Sequence, residues 1–218
     1  MTYIVGGKLG NNPFLMIDCK VQHEESKWLF QDKVVSFNSG EDEIYYCQMG
    51  HAIIKQFIMM YDYIKTHEGE KINVFDKDEI KRMFDEINSA IEYSNFDFKS
   101  KGENILFFIS KNDICKYTVK FNNETRKYYN ISQVNIDENK CSTSNSPLTR
   151  HVGISQSELK EFCKSIIEEE KMGIPDDLKD RYTFIYTLDN EINYEFPYKS
   201  KYDVINQFMG MDFGNIEK

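Results

Sequence analysis

A chain of 218 residues is long enough for one large domain, and a single core at that length buries roughly 70% of the surface the unfolded chain exposes. Its apolar and aromatic content excludes a disordered chain. The net charge of −9 argues against a general nucleic-acid binder, which must neutralise phosphates with Lys and Arg.

The first fifty residues predict strands. Thr2 to Gly7 (TYIVGG) is short, rich in β-formers and closed by glycines, and Lys8 to Pro13 (KLGNNP) is a turn. Phe14 to Lys20 is apolar and then abruptly charged. After a polar loop come Lys33 to Phe37 and Glu43 to Cys47, with Asn38-Ser39-Gly40 as the turn between them. The period then changes. From His51 to His67, apolar residues at Ile54, Phe57, Ile58, Tyr61 and Ile64 share one helical face. A second helix is predicted from Lys77 to Tyr93, with the stripe Ile80, Met83, Phe84, Ile87 and Ile91 and an acidic first turn that suits the helix dipole.

Strand signals return at Asn104 to Ile109, Ile114 to Phe121 and Lys127 to Ser132, with a turn at Asn112-Asp113. Asn135 to Pro147 is polar and predicts a loop. Ser155 and Glu158 form a capping box for a third helix, whose stripe is Leu159, Phe162, Cys163, Ile166 and Ile167 and whose end is Gly173. Arg181 to Leu188 and Ile192 to Phe196 predict a hairpin around Asp189-Asn190. A short amphipathic segment, Tyr202 to Met209, follows. The order of strands, two helices, strands, one helix and strands suits two antiparallel sheets stacked face to face with helices outside. No repeat or linker interrupts it, so the expectation is one domain over residues 1–218.

The five cysteines, Cys19, Cys47, Cys115, Cys141 and Cys163, form no CxxC pair and read as reduced thiols filling apolar space. His23, His51, His67 and His151 have no metal-like spacing, and no Gly-rich phosphate loop is present, so neither metal nor cofactor is expected. No stretch has the order of a signal peptide, and no apolar run approaches the ~20 residues that span a bilayer. The expectation is a soluble cytoplasmic protein that binds neither membrane nor nucleic acid.

TYIVGG at Thr2 to Gly7 resembles the TTxVG opening of proteasome β-type subunits and of the related bacterial ATP-dependent protease peptidase. In that family the mature chain begins at the threonine, and an acidic residue follows sixteen positions later, where Asp18 stands. A lysine follows some thirty-two positions after the threonine. Lys33, in DKVVSF, lies one short of that, and Gly50 in CQMGHA matches the glycine at the start of the first helix. The resemblance is useful over residues 2–67 and faint beyond. It implies an α+β N-terminal-nucleophile (Ntn) hydrolase, a four-layer αββα sandwich of two antiparallel sheets flanked by helices. It also implies a threonine-type peptidase acting on peptide or protein substrates, assembly into a homo-oligomeric ring, and room for an ATP-dependent unfoldase partner.

The chemistry explains those residue types. A threonine hydroxyl needs a base, and a freed α-amino group of pKa ~7.7–8.0 can serve near neutral pH. Removal of Met1 would place both groups on Thr2. Lys33 would favour the alkoxide and lower the amine's pKa, Asp18 would pair with Lys33, and the Gly50 N–H would stabilise the oxyanion. The sequence departs from the family at Tyr3, where Thr or Ser is usual. The serine that supports the amine has three candidates, Ser142, Ser144 and Ser146, and the family's later acidic residue is either Asp177 or Asp180. Two other functions fit the same fold: a non-catalytic assembly or binding subunit, and an amidase for small molecules.

Overall fold

Near-continuous apolar runs such as those at residues 14–17 and 105–109 belong to strands buried on both faces, and the two larger sheets carry such strands at their centres. The computed structural model describes residues 2–24, 27–30, 33–39, 42–51, 53–93, 103–170 and 182–197. In chain order the strands are β1 (Ile4–Leu9), β2 (Asn12–Asp18), β3 (Lys20–Glu24), β4 (Lys27–Phe30), β5 (Val35–Ser39) and β6 (Asp42–Met49). Helices α1 (Ile53–His67) and α2 (Lys77–Tyr93) follow. Then come β7 (Glu103–Ile109), β8 (Ile114–Asn122), β9 (Lys127–Asn135), β10 (Lys140–Thr143) and β11 (Thr149–His151). A single 3₁₀ turn (Gln156–Glu158) leads into α3 (Leu159–Glu170), and β12 (Tyr182–Leu188) and β13 (Glu191–Glu195) complete the described chain.

Among the described residues, the strands form a six-stranded antiparallel sheet, β11-β10-β1-β2-β12-β13, a five-stranded antiparallel sheet, β5-β6-β7-β8-β9, and a separate β3-β4 hairpin. Three apolar layers hold them. Ile54, Ile58 and Tyr61 of α1 and Ile80, Phe84 and Ile87 of α2 pack on Tyr46, Phe108 and Tyr117 of the five-stranded sheet. Leu159, Cys163, Ile166 and Ile167 of α3 pack on Val5, Phe14, Met16 and Phe184 of the six-stranded sheet. Between the sheets lie Ile4, Leu15, Ile17, Phe107, Ile109, Ile114 and Ile185. The order of layers is therefore α, β, β, α, with the two longer helices on one outer face and α3 on the other. Each fully buried side chain of this kind stabilises the fold by about 1.5–3 kcal/mol relative to exposure.

Gly6 shows how closely the sheets approach. A Cβ there would lie 2.8 Å from Ile114 Cδ1 and 2.9 Å from the Phe107 ring of the facing sheet. The β12-β13 hairpin turns on Asp189 and Asn190 with φ of 52° and 62°, the two-residue geometry that matches strand twist. The predicted capping box is present, with the Glu158 carboxylate accepting from the Ser155 N–H at 3.0 Å, although it opens a 3₁₀ turn before α3.

Two expectations are corrected. The segment from Asn135 to Pro147 is not all loop: β10 pairs with β1, matching Val5 with Thr143 and Gly6 with Ser142, and carries β11 on its far side. Four polar and small residues give little strand signal, but β1 needs a backbone partner on that edge. The polar stretch before Lys33 contains the β3-β4 hairpin rather than a loop. Gly40, Gly173, Asp177, Asp180 and the segment Tyr202 to Met209 lie outside the described residues.

Candidate active site

The N-terminal strand is fixed before it enters the sheet ladder. Tyr3 accepts from the Asp18 N–H at 3.1 Å through its carbonyl, and donates its own N–H to Asp18 Oδ1 at 2.7 Å. The Asp18 carboxylate, at the end of β2 and 2% exposed, thereby takes up a backbone donor with one oxygen and is free to hold a cation with the other. That cation is Lys33, just ahead of β5. Its Nζ lies 3.1 Å from Asp18 Oδ2 and 3.2 Å from Thr2 Oγ1. The lysine side chain is only 12% exposed. Burial pushes its pKa below the ordinary lysine value, and the charge and hydrogen bond of Asp18 oppose that push. Two sheets thus contribute to one cluster: Thr2 and Asp18 flank the six-stranded sheet, and Lys33 arrives from the edge of the other.

Of the three candidate serines, Ser144 is the one that meets the N-terminal strand. Its Oγ accepts from the Ile4 N–H at 3.1 Å and lies 3.4 Å from the Thr2 carbonyl oxygen, to which it donates. Its own N–H donates to the Ile4 carbonyl at 2.9 Å. Ser142 and Ser146 instead surround Lys116, a residue that the motif reading passed over. Lys116 Nζ donates to Ser142 Oγ at 3.1 Å, to the Thr143 carbonyl at 2.7 Å and to the Ser146 carbonyl at 2.7 Å. The signal was present in the alternation of ICKYTVKF, which puts Lys116 in phase with Ile114, an inward-facing residue of the layer between the sheets.

Gly50 is not one of the hydrogen-bond partners that join Thr2, Asp18 and Lys33. It lies between the end of β6 and α1, with φ of +124°, a conformation open to glycine. A Cβ there would lie 2.4 Å from Asn104 Oδ1. Asn104, read in the sequence only as the start of a strand, is fully buried; its Oδ1 accepts from the His51 N–H at 2.8 Å and its Nδ2 donates to the Val119 carbonyl at 3.3 Å. This asparagine ties the loop ahead of α1 to the five-stranded sheet. Tyr3, the departure from the family opening, buries its ring beneath α3, and burial, Asp18 and Glu170 together raise its pKa.

Other features of the sequence stay unassigned to the cluster. All five cysteines are buried thiols outside any disulfide. Among the described residues, no group of three or more His, Cys, Asp or Glu side chains could hold a metal ion, and no helix is long and apolar enough to cross a membrane.

No family model matches the sequence, and no curated protein matches it. Solved structures do match the fold. The Anbu ancestral β-subunit from Yersinia bercovieri superposes with a TM-score of 0.56 at 11% identity, covering 95% of this chain and 92% of that one. The helical assembly of the Anbu complex from Pseudomonas aeruginosa gives the same TM-score, identity and coverage. A Gly-1 mutant of Anbu from Hyphomicrobium sp. strain MC1 gives 0.54 at 9% identity, covering 96% and 94%. At such identities the likeness speaks for architecture alone: the chain has the proteasome-like Ntn-hydrolase fold of the Anbu β-subunits, as a divergent example of it.

Proposed function

We propose that this protein is an N-terminal threonine amide hydrolase, a peptidase of proteasome type, with Thr2 as the nucleophile once Met1 has been removed. The observation that carries this reading is the Lys33 ammonium within hydrogen-bond reach of both Thr2 Oγ1 and Asp18 Oδ2. In the reaction, the α-amine of Thr2 takes the hydroxyl proton as Oγ1 attacks the substrate carbonyl carbon. Lys33 stabilises the negative charge that develops on Oγ1, and Asp18 keeps that ammonium charged and in place. The tetrahedral intermediate collapses, the leaving amine takes the proton, and an ester on Thr2 remains. Water, deprotonated by the same α-amine, then hydrolyses the ester and restores the free hydroxyl. The role of oxyanion donor goes to the Gly50 N–H.

Substrates are peptides or proteins in this reading. Because a neighbour in fold is a helical assembly, we extend self-association to this chain, with ring and open helix distinguished by electron microscopy of the purified protein. Five reduced, buried thiols support a cytoplasmic setting.

The test compares wild type with Thr2→Ala, both checked by intact mass for loss of Met1. Peptide-reporter hydrolysis and covalent labelling by a threonine-directed electrophile should occur in the wild type and vanish in the variant. Equal behaviour of the two proteins, or a retained Met1 in the native protein, would sink the reading and leave the fold as a non-catalytic module.

A further inference from the structure

We propose that Lys116 is a positioning residue for the Thr2 site, fixing the segment from Ser142 to Ser146 and, through Ser144, the backbone of Thr2 and Ile4. The proposal rests on the threonine-hydrolase reading for its kinetic consequences, but its structural core stands apart from it. Lys116 lies on β8 of the five-stranded sheet, only 2% exposed, and its partners belong to β10 of the other sheet and the turn that follows. An ammonium has three donors, and all three are placed here on one five-residue segment, on Ser142 Oγ and the carbonyls of Thr143 and Ser146. Between those contacts sits Ser144, whose side chain and backbone make three hydrogen bonds to Thr2 and Ile4.

A buried charge held by neutral oxygens is an expensive way to fill space, because an apolar side chain of similar length would avoid desolvation. Among the described residues no carboxylate forms an ion pair with Lys116. Its charged neighbours are Glu170 at the end of α3 and Glu103 at the start of β7, both acting at a distance. Glu170 is itself tied to the turn, accepting from Asn145 Nδ2 at 3.0 Å. Burial correspondingly pulls the Lys116 pKa down to about 8. The cost is offset by order: the turn has no regular ladder beyond Thr143, and the lysine supplies the donors that its carbonyls would otherwise lack. The close sheet approach permitted by Gly6, which pairs with Ser142, brings β8 within reach.

Lys116→Met in the full chain tests this, with wild type and Thr2→Ala as references. Amide hydrogen exchange should quicken severalfold in the segments 2–9 and 140–148 while β6 and β7 keep wild-type protection. With a peptide reporter, kcat should fall roughly ten- to a hundredfold, the scale expected when a reacting group is displaced by an ångström or less, with KM near the wild-type value. Lys116→Arg, which keeps charge and donors, should recover part of both. Unchanged exchange in those two segments overturns the proposal, as does a uniform loss of protection across the molecule. If wild type proves no more active than Thr2→Ala, the hydrolase reading falls, and the exchange pattern still decides whether Lys116 orders the N-terminal strand. If Lys116→Met fails to fold, Ser142→Ala removes one acceptor and no bulk. The same two segments must then loosen to a smaller degree, or the proposal fails.

Discussion

Two lysines are buried close to the start of β1, and their surroundings differ in kind. Lys33 faces a carboxylate that is itself anchored by the Tyr3 N–H, so charge meets charge within 3.1 Å. Lys116 faces a hydroxyl and two carbonyls, so one charge meets three dipoles. Desolvation leads the causes that lower both pKa values. The contrast separates two uses of a buried cation. A carboxylate partner keeps an ammonium charged beside Thr2 Oγ1, where the proposed hydrolysis would use the charge. Neutral oxygens do less to hold the proton, but they let the ammonium gather a stretch of backbone into one conformation.

Removing the carboxylate is the most disruptive way to test that contrast after removal of Thr2 itself. Asp18→Asn keeps an acceptor for the Tyr3 N–H but leaves Lys33 buried beside a neutral group. Breaking a buried pair from one side costs about 3–5 kcal/mol. Urea unfolding should show a loss of that size, and reporter hydrolysis should fall with it. A loss under about 1 kcal/mol, the scale of an exposed pair, would mean that solvent and not Asp18 supports Lys33.

The second test uses pH. Lys116 has a folded pKa of about 8 against an ordinary value of 10.5. Between those values the unfolded chain binds more protons than the folded one at this site, so stability should rise with pH across that window. Below about pH 8 the full cost of burying the charge is present, and above 10.5 it is gone. Lys33 acts in the same direction, since its pKa is also lowered. The comparison of wild type with Lys116→Met cancels the Lys33 contribution. Over that window wild type should gain up to about 3 kcal/mol on the variant by urea unfolding. Parallel curves would show that the charge of Lys116 carries no such cost.

The two lysines also differ in how well the sequence announces them. Lys33 is legible because it sits near a fixed spacing from Thr2 and Asp18 within a recognisable opening. Lys116 belongs to no motif, and only strand phase betrays it, as a charge in step with Ile114. The same distinction runs through the fold. The stripes of α1, α2 and α3 fix the outer layers, because a helical period over twelve or more residues is a strong signal. The β10 strand is illegible in the sequence because four residues, three of them Lys, Ser and Thr, owe their conformation to pairing with β1 rather than to their own pattern. Ser144 could be narrowed to three serines but no further, since the choice depends on where that pairing ends. Asn104 was unreadable for a related reason: its role is to fill the space above Gly50, which only the folded loop defines.

Ser144 joins the two lysine environments, and its removal should give the smallest effect on stability. Ser144→Ala deletes the acceptor for the Ile4 N–H and the donor to the Thr2 carbonyl while leaving the backbone bond from the Ser144 N–H to Ile4 in place. One buried amide loses its side-chain partner, a cost of about 1–2 kcal/mol. If Lys116 acts on Thr2 through this serine, the losses in kcat from Ser144→Ala and Lys116→Met cannot add. The double variant should be little worse than the poorer single one, a coupling of about 1.4–2.7 kcal/mol in a double-mutant cycle on kcat, the size of the tenfold to hundredfold loss from Lys116→Met. Additive losses would mean that the two side chains reach the N-terminal strand by separate routes. Lys116 would then bear on Thr2 through contacts other than Ser144, and the serine would not be the link between them.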